Sequence, residues 1–166
     1  GSDMALDMFE EIVEMRKEAA AKGVATVIWS YPRGEAITKD GETAIDVAAY
    51  AAQIAALIGA HIIKIKLSTD HLMLPEAKKV YEDKKIDVAT QTKRVAHCME
   101  ASFNGRRIVV FSGGAAKGAD AVFDDARAIR DGGGNGSIIG RNSFQRSRED
   151  ALEMLQKLVD IYLGKA

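Results

Sequence analysis

The sequence predicts an α/β protein assembled from parallel βα units. Three features of the chain point to this class. Short β-branched runs alternate with longer stretches of helical periodicity: VATVIWSY at 24–31, HIIKIKL at 61–67, RIVVF at 107–111 and a very short run at 137–140. Helical stretches flank these runs, which is the pattern of parallel strands joined by crossovers and not of hairpins. Turn-forming residues follow three of the strands directly, as Pro32-Arg33-Gly34, Ser112-Gly113-Gly114 and Gly140. Four such units make either an open doubly wound sheet or half of an eightfold barrel. A whole barrel needs about 200 residues or more, and with 166 residues here length favours the open sheet.

Taken in order, the elements are as follows. Gly1-Ser2-Asp3-Met4 reads as a cloning remnant, and a single βα domain is expected over 5–166. Met8, Ile12, Met15 and Ala19 recur at helical spacing up to a stop at Gly23, which predicts an amphipathic first helix. After the first strand a polar loop reaches to about Glu42. Thr43 and Asp46 have capping-box spacing ahead of an Ala-rich helix over 45–57, closed by Gly59. The charged stretch 75–85 reads as a solvated helix, and a further helix is expected over about 87–103, ending at Asn104-Gly105. Asp120 is placed to cap the helix whose Val122, Ala126 and Ile129 share a face, and Ser147 with Asp150 opens the last helix, with Ala151, Leu155, Leu158 and Tyr162 as its stripe.

Composition bounds the function. The chain is 47% hydrophobic and carries 23 Lys plus Arg against 24 Asp plus Glu, so it has no basic excess to neutralise nucleic-acid phosphates. No apolar run approaches the roughly 18 residues that a membrane span requires. Cys98 is the single cysteine and cannot form an internal disulfide; a lone thiol with no signal-peptide pattern predicts a cytoplasmic protein. His61, His71 and His97 lack metal-site spacing, and neither a Walker loop nor a G-x-G-x-x-G fingerprint is present.

In either βα architecture ligands lie at the carboxyl ends of the strands. Lys64 and Lys66, two apart in HIIKIKL, share one strand face, with Ile63 and Ile65 on the other. Burying two ammonium groups under helices is costly, so the isoleucines are expected to pack on helices and the lysines to point away from them. An amine that is partly desolvated beside a second cation has its neutral form favoured, and a neutral amine can attack a carbonyl to form a Schiff base. The alternative is an edge strand with two solvated lysines. Trp29 and Tyr31 share a face at the end of the first strand, where an indole can line a pocket and a phenol can pass protons; plain rim packing is the alternative. Ser112-Gly113-Gly114 and Gly140-Arg141 each follow a strand with glycine, so that backbone N–H groups can approach an anion, and the Arg141 guanidinium adds a planar cationic fork. The two together suggest a phosphate cradle.

WSYPRG, GAHIIKIK, FSGG and IIGRNSFQRS, in this order and each at a strand end, resemble the class I fructose-bisphosphate aldolases of archaeal and bacterial type. The resemblance runs from about Val24 to the last helix. It implies a (β/α)8 barrel of which this chain supplies strands five to eight, a half-barrel. It also implies Lys64 as the Schiff-base residue, Tyr31 as the proton-transfer group with Trp29 beside it, Lys66 as a neighbouring cation, and phosphate contacts at Ser112, Gly113, Gly114, Gly140 and Arg141. The expected reaction is reversible cleavage of fructose 1,6-bisphosphate, in glycolysis and gluconeogenesis, without cofactor or metal and with a sugar phosphate as the partner. The motifs of the family's first four strands are absent. A half-barrel has two unpaired sheet edges and an uncovered face, so self-association into a homo-oligomer is expected. The alternatives are another Schiff-base aldolase of the same barrel, or a half that binds sugar phosphate without turning it over.

Overall fold

Alternation along each strand gives the sheet one apolar face and one mixed face, and only the first is covered. The computed structural model describes residues 2–166. Within them lie four strands, β1 (Val27–Trp29), β2 (Ile62–Lys66), β3 (Ile108–Ser112) and β4 (Gly136–Ile138), in the sheet order β1-β2-β3-β4. All three pairings are parallel. Ile28, Ile63 and Val109 stand side by side in this register, as do Ile65 and Phe111 one layer higher. These five side chains are buried.

The cover comes from α2 (Ile45–Leu57), α4 (Gln91–Ala101) and α5 (Ala119–Asp131). Ala48, Ala52 and Ala55 of α2, Val95 and Cys98 of α4 and Ile129 of α5 form one core with the strands. Small side chains let α2 approach the sheet closely. Full burial of each isoleucine contributes roughly 1.5–3 kcal/mol. A slip of one residue would bring Lys64 and Lys66 under the helices in their place, so the register of β2 is strongly fixed.

The opposite face carries Trp29, Lys64 and Val110 in one layer and Lys66, Ser112 and Ile138 in the next. Val27, Trp29, Ile108 and Ile138 on it are exposed. A doubly wound sheet has helices on both faces, and here the core helices all lie on one. The open sheet that length favours is therefore corrected to the half-barrel, whose mixed face is the inner wall of the barrel.

The remaining helices flank this unit. The first, α1 (Ala5–Ala21), buries none of its residues; of its predicted stripe Ile12 packs on the core, while Met8 and Met15 stay exposed. α3 (Pro75–Asp83) is the solvated helix expected from its charge. A short α6 (Arg141–Phe144), which the sequence reading did not separate, follows β4, and α7 (Arg148–Tyr162) closes the chain. Met154, Leu158 and Ile161 of α7 pack on Val122, Phe123 and Ala126 of α5. The buried stripe is thus rotated from the predicted one: Leu155 is exposed, and only Leu158 and Tyr162 of the four face inward.

Capping follows tertiary contacts more than local spacing. Ser147 accepts the N–H of Asp150 as expected. Thr43 and Asp46 form no capping box, because Thr43 lies in a 3-10 turn (Gly41–Thr43) and the Asp46 carboxylate accepts the N–H groups of Met73 at 3.1 Å and Leu74 at 2.9 Å. Asp46 thereby serves the start of α3 instead of its own helix, an anion at a helix N-terminus. Asp120 sits inside the first turn of α5, with Gly118 at the cap position. The helix expected over 87–103 starts later, at Gln91, where Thr90 accepts the N–H of Lys93.

Cys98 is fully buried in the core, and this burial pushes its thiol up to about 12. A thiolate is the reactive form, so the folded chain should not react with a disulfide reagent at pH 8 and should react stoichiometrically in denaturant. Rapid labelling of the folded chain would contradict this packing.

Candidate active site

At the carboxyl ends of the strands the mixed face opens into a cavity of about 860 Å³. Tyr31, Lys64, Lys66, Ser112, Gly113, Gly114, Gly140 and Arg141 all line it. The structure therefore brings together eight of the nine residues singled out in the sequence. Trp29 is the ninth; it lies below the cavity, next to the lysine, and lines a smaller apolar hollow between α1 and α2.

Lys64 is held by rings. Its Nζ lies 5.0 Å from the centre of the Trp29 ring and 5.9 Å from that of Tyr31. Among the described residues no carboxylate pairs with it. Contacts of an ammonium with ring faces are worth about 0.5–1 kcal/mol at exposed sites, which leaves the amine available at small cost. Lys66 is bound differently. It donates to Glu42 Oε2 at 2.6 Å, and its Nζ lies 5.7 Å from the Tyr31 ring centre. Two lysines that the sequence shows as equivalent are thus set apart by one carboxylate.

Glu42 was not singled out in the sequence, where it is only the end of a polar loop. Backbone bonds bring it to Lys66: the Thr69 N–H donates to the Thr43 carbonyl at 2.8 Å, and the Ile45 N–H to the His71 carbonyl at 2.9 Å. These clamp the 3-10 turn over the end of β2. Gly41 leaves room there for the Met73 side chain, which a Cβ would push aside. Hydrogen bonds from Lys66 and then Lys39 pull the Glu42 carboxyl down to about 2, so it is ionised throughout the neutral range. Arg94 of α4 secures the neighbouring loop by donating to the carbonyls of Ser68 and Val88 at 3.0 and 2.9 Å.

The two glycine-bearing loops are joined by Asn142, which the sequence places beside Gly140 and Arg141 without a role of its own. Its buried side-chain amide donates to the carbonyls of Gly113 at 2.9 Å and Ala115 at 3.1 Å and accepts the N–H of Lys117 at 2.8 Å. Arg146 adds a bond to the Asn142 carbonyl at 2.7 Å and one to the Lys117 carbonyl at 3.1 Å, and Arg141 reaches the Gly114 carbonyl at 3.2 Å. Gly113 must be glycine for this contact to form, since a Cβ would stand 2.7 Å from Ile139 Cγ2.

The wall is strongly cationic. Arg33, Lys39, Lys64, Lys66, Lys117 and Arg141 line the cavity, with Asp125 as the one acidic lining residue among the described residues. Asp125 is paired with Lys117, and Glu42 with Lys39 and Lys66. Arg33, Lys64 and Arg141 have no carboxylate partner among the described residues. Such a surface attracts and holds an anionic ligand. The histidines lie elsewhere: His97 is hydrogen-bonded to the Tyr81 hydroxyl at 2.7 Å, and His61 Nδ1 accepts the Thr26 N–H at 3.0 Å.

A family description of DeoC/LacD aldolases matches residues 1–146. The chain belongs to the DeoC/LacD aldolase family. Among curated relatives, this family member is 30% identical over 165 residues to the class 1 fructose-bisphosphate aldolase of Thermoproteus tenax, covering 99% of this chain and 52% of that protein. It is 32% identical over 171 residues to the probable class 1 enzyme of Chlamydia muridarum, covering 93% and 48%. Among solved structures, an archaeal fructose 1,6-bisphosphate aldolase superposes with a TM-score of 0.77 at 29% identity, covering 99% of this chain and 55% of that one. Another, described as carrying its catalytic lysine covalently bound to the carbinolamine intermediate of the substrate, gives 0.76 at 28% identity, covering 98% and 54%. The aldolase-family chain spans about half the length of the curated relatives it matches. Among the described residues no helix is long and apolar enough to cross a membrane.

Removing the Asn142 amide would strand two carbonyls and an N–H between the loops. Asn142→Ala is expected to lower stability by about 1 kcal/mol, the scale of hydrogen bonds lost between groups that are partly buried. Urea unfolding measures it, and an unchanged midpoint would contradict the joining role.

Proposed function

We propose that this chain carries the Schiff-base chemistry of a class I fructose-bisphosphate aldolase. The observation that supports it best is an amine without a carboxylate partner, Lys64, set against Trp29 and Tyr31 at the floor of a cationic cavity rimmed by two glycine-bearing loops. The relatives' names give the substrate, fructose 1,6-bisphosphate, whose two phosphates suit such a wall.

The steps follow from these positions. Ser112, Gly113 and Gly114 on one loop and Gly140 and Arg141 on the other hold a phosphate, which orients the ketone over β2. The Lys64 Nζ lone pair adds to the ketone carbon, Tyr31 gives its phenolic proton to the carbinolamine hydroxyl, which leaves as water, and a protonated imine and a Tyr31 phenolate remain. Tyr31 takes the proton of the C4 hydroxyl as the C3–C4 bond breaks, glyceraldehyde 3-phosphate departs, and the bonding electrons move toward the iminium to give an enamine. Tyr31 returns the proton to C3, and water then hydrolyses the imine to release dihydroxyacetone phosphate and the free amine. Lys66 supplies positive charge beside the reacting nitrogen, and Trp29 packs under it. This function belongs to the reversible aldol step of glycolysis and gluconeogenesis, in the cytoplasm.

The test is borohydride reduction of the chain with dihydroxyacetone phosphate, followed by peptide mass spectrometry. A ligand-sized adduct is expected on Lys64 and should be lost in Lys64→Met. An adduct that survives Lys64→Met would show that another amine is the nucleophile, and no adduct on folded protein would leave a half that binds sugar phosphate without reacting.

We further propose that the uncovered face is closed by a second copy. β1 and β4 are free edges of one parallel sheet, so β4 of one copy can continue onto β1 of the next, and two copies related by a twofold axis would complete eight strands. Sedimentation velocity should then show a dimer at micromolar concentration. A chain that stays strictly monomeric would contradict this closure.

A further inference from the structure

We infer that Glu42 is a positioning residue that decides which of the two strand lysines reacts: by holding Lys66 as a paired ammonium, it leaves Lys64 as the amine open to a carbonyl. The inference rests on the Schiff-base function proposed above and assigns a role to a residue that this function did not require.

The geometry carries it. Lys64 and Lys66 point to the same face of β2, one layer apart, and both line the cavity. Both approach the Tyr31 ring, at 5.9 and 5.7 Å. Position along the strand therefore does not separate them, since a substrate in the cavity meets both. What separates them is the bond from Lys66 to Glu42 Oε2 at 2.6 Å, with both side chains largely withdrawn from solvent, at 22% and 14% exposure. A charge-assisted hydrogen bond of this kind engages the lysine Nζ and fixes its rotamer. An ammonium has no lone pair with which to attack. Lys64 has ring faces as neighbours instead of a carboxylate.

The carboxylate is itself well supplied. Lys39 reaches Glu42 Oε1 at 3.1 Å, so each oxygen has its own lysine. The turn that carries Glu42 is clamped to the chain after β2 through Thr43–Thr69 and Ile45–His71. Glu42 thus moves with the end of the strand whose lysines it sorts.

Competitive labelling with a trace of acetic anhydride at pH 8, followed by peptide mass spectrometry, reads the reactive fraction of each amine without needing substrate. In the unsubstituted chain Lys66, held in its ion pair with Glu42, should acetylate about tenfold or more slowly than Lys64, because the pair must open before its Nζ can attack. Glu42→Gln keeps the shape and removes the charge, and it should bring the two rates within about threefold of each other, since each amine then faces an aromatic ring with no carboxylate partner. Borohydride trapping with dihydroxyacetone phosphate should then give adducts on both lysines of Glu42→Gln, and on Lys64 alone once Lys66→Met is added. That return to a single site separates sorting from general disruption of the fold. Equal acetylation of Lys64 and Lys66 in the unsubstituted chain would overturn the inference, as would a Glu42→Gln chain whose labelling ratio is unchanged. Labelling that follows the expected pattern without any sugar-phosphate adduct would uphold the sorting and overturn the aldolase function instead.

Discussion

The alternation of β2 is the constraint on which the rest of this structure depends. Ile63 and Ile65 have no place other than under the helices, and Lys64 and Lys66 have none other than the uncovered face. The apolar pair fixes the register of the central strand, and the register then sends both amines to the same side. Core packing and the placement of the two amines are thus two consequences of one five-residue segment. A polar face at the centre of a parallel sheet would be a liability in a doubly wound protein, where helices cover both sides. In a barrel wall it is where substrate is met.

Two residues outside the strands shape this face into a candidate site. Glu42, carried on a clamped 3-10 turn, distinguishes two lysines that the strand alone would leave alike. Asn142 ties the loop after β3 to the loop after β4, so that glycines from separate βα units act as a single rim. Each works through hydrogen bonds spanning roughly two dozen residues or more of sequence, from Glu42 to Lys66 and from Asn142 to Gly113. The division of labour is general to βα proteins: strands fix where the chemistry lies, and loop contacts fix its details.

Much of this was legible in the sequence because it depends on local patterns. Period-two alternation in HIIKIKL gave the face of each lysine, and the glycines after RIVVF and at 140 gave the two loops. The family motifs brought Tyr31, Lys64 and Arg141 to one mouth, where the structure also puts them. What could not be read depends on distant partners. Thr43 and Asp46 have the spacing of a capping box, yet Asp46 is taken by the N–H groups of Met73 and Leu74, which no local pattern announces. The α7 stripe turned by about one position because α5, not the sheet, is what it packs on. Met8 and Met15 have the periodicity of a buried face and remain exposed, since amphipathic spacing records what a helix can bury and not whether a partner is present. Glu42 carried no signal at all: a glutamate in a polar loop acquires its role only from the lysine it meets.

The central claim is that the β2 lysines and the two glycine-bearing loops form one site for a phosphorylated carbonyl compound. Titration of isotope-labelled chain with dihydroxyacetone phosphate, followed by amide NMR, tests it most directly. The amides of 112–117 and 140–142 should shift together with those of 64–66, with a single saturation curve, while the amides of α3 and of the α1 hollow stay in place. Shifts confined to one loop, or centred away from β2, would contradict the claim.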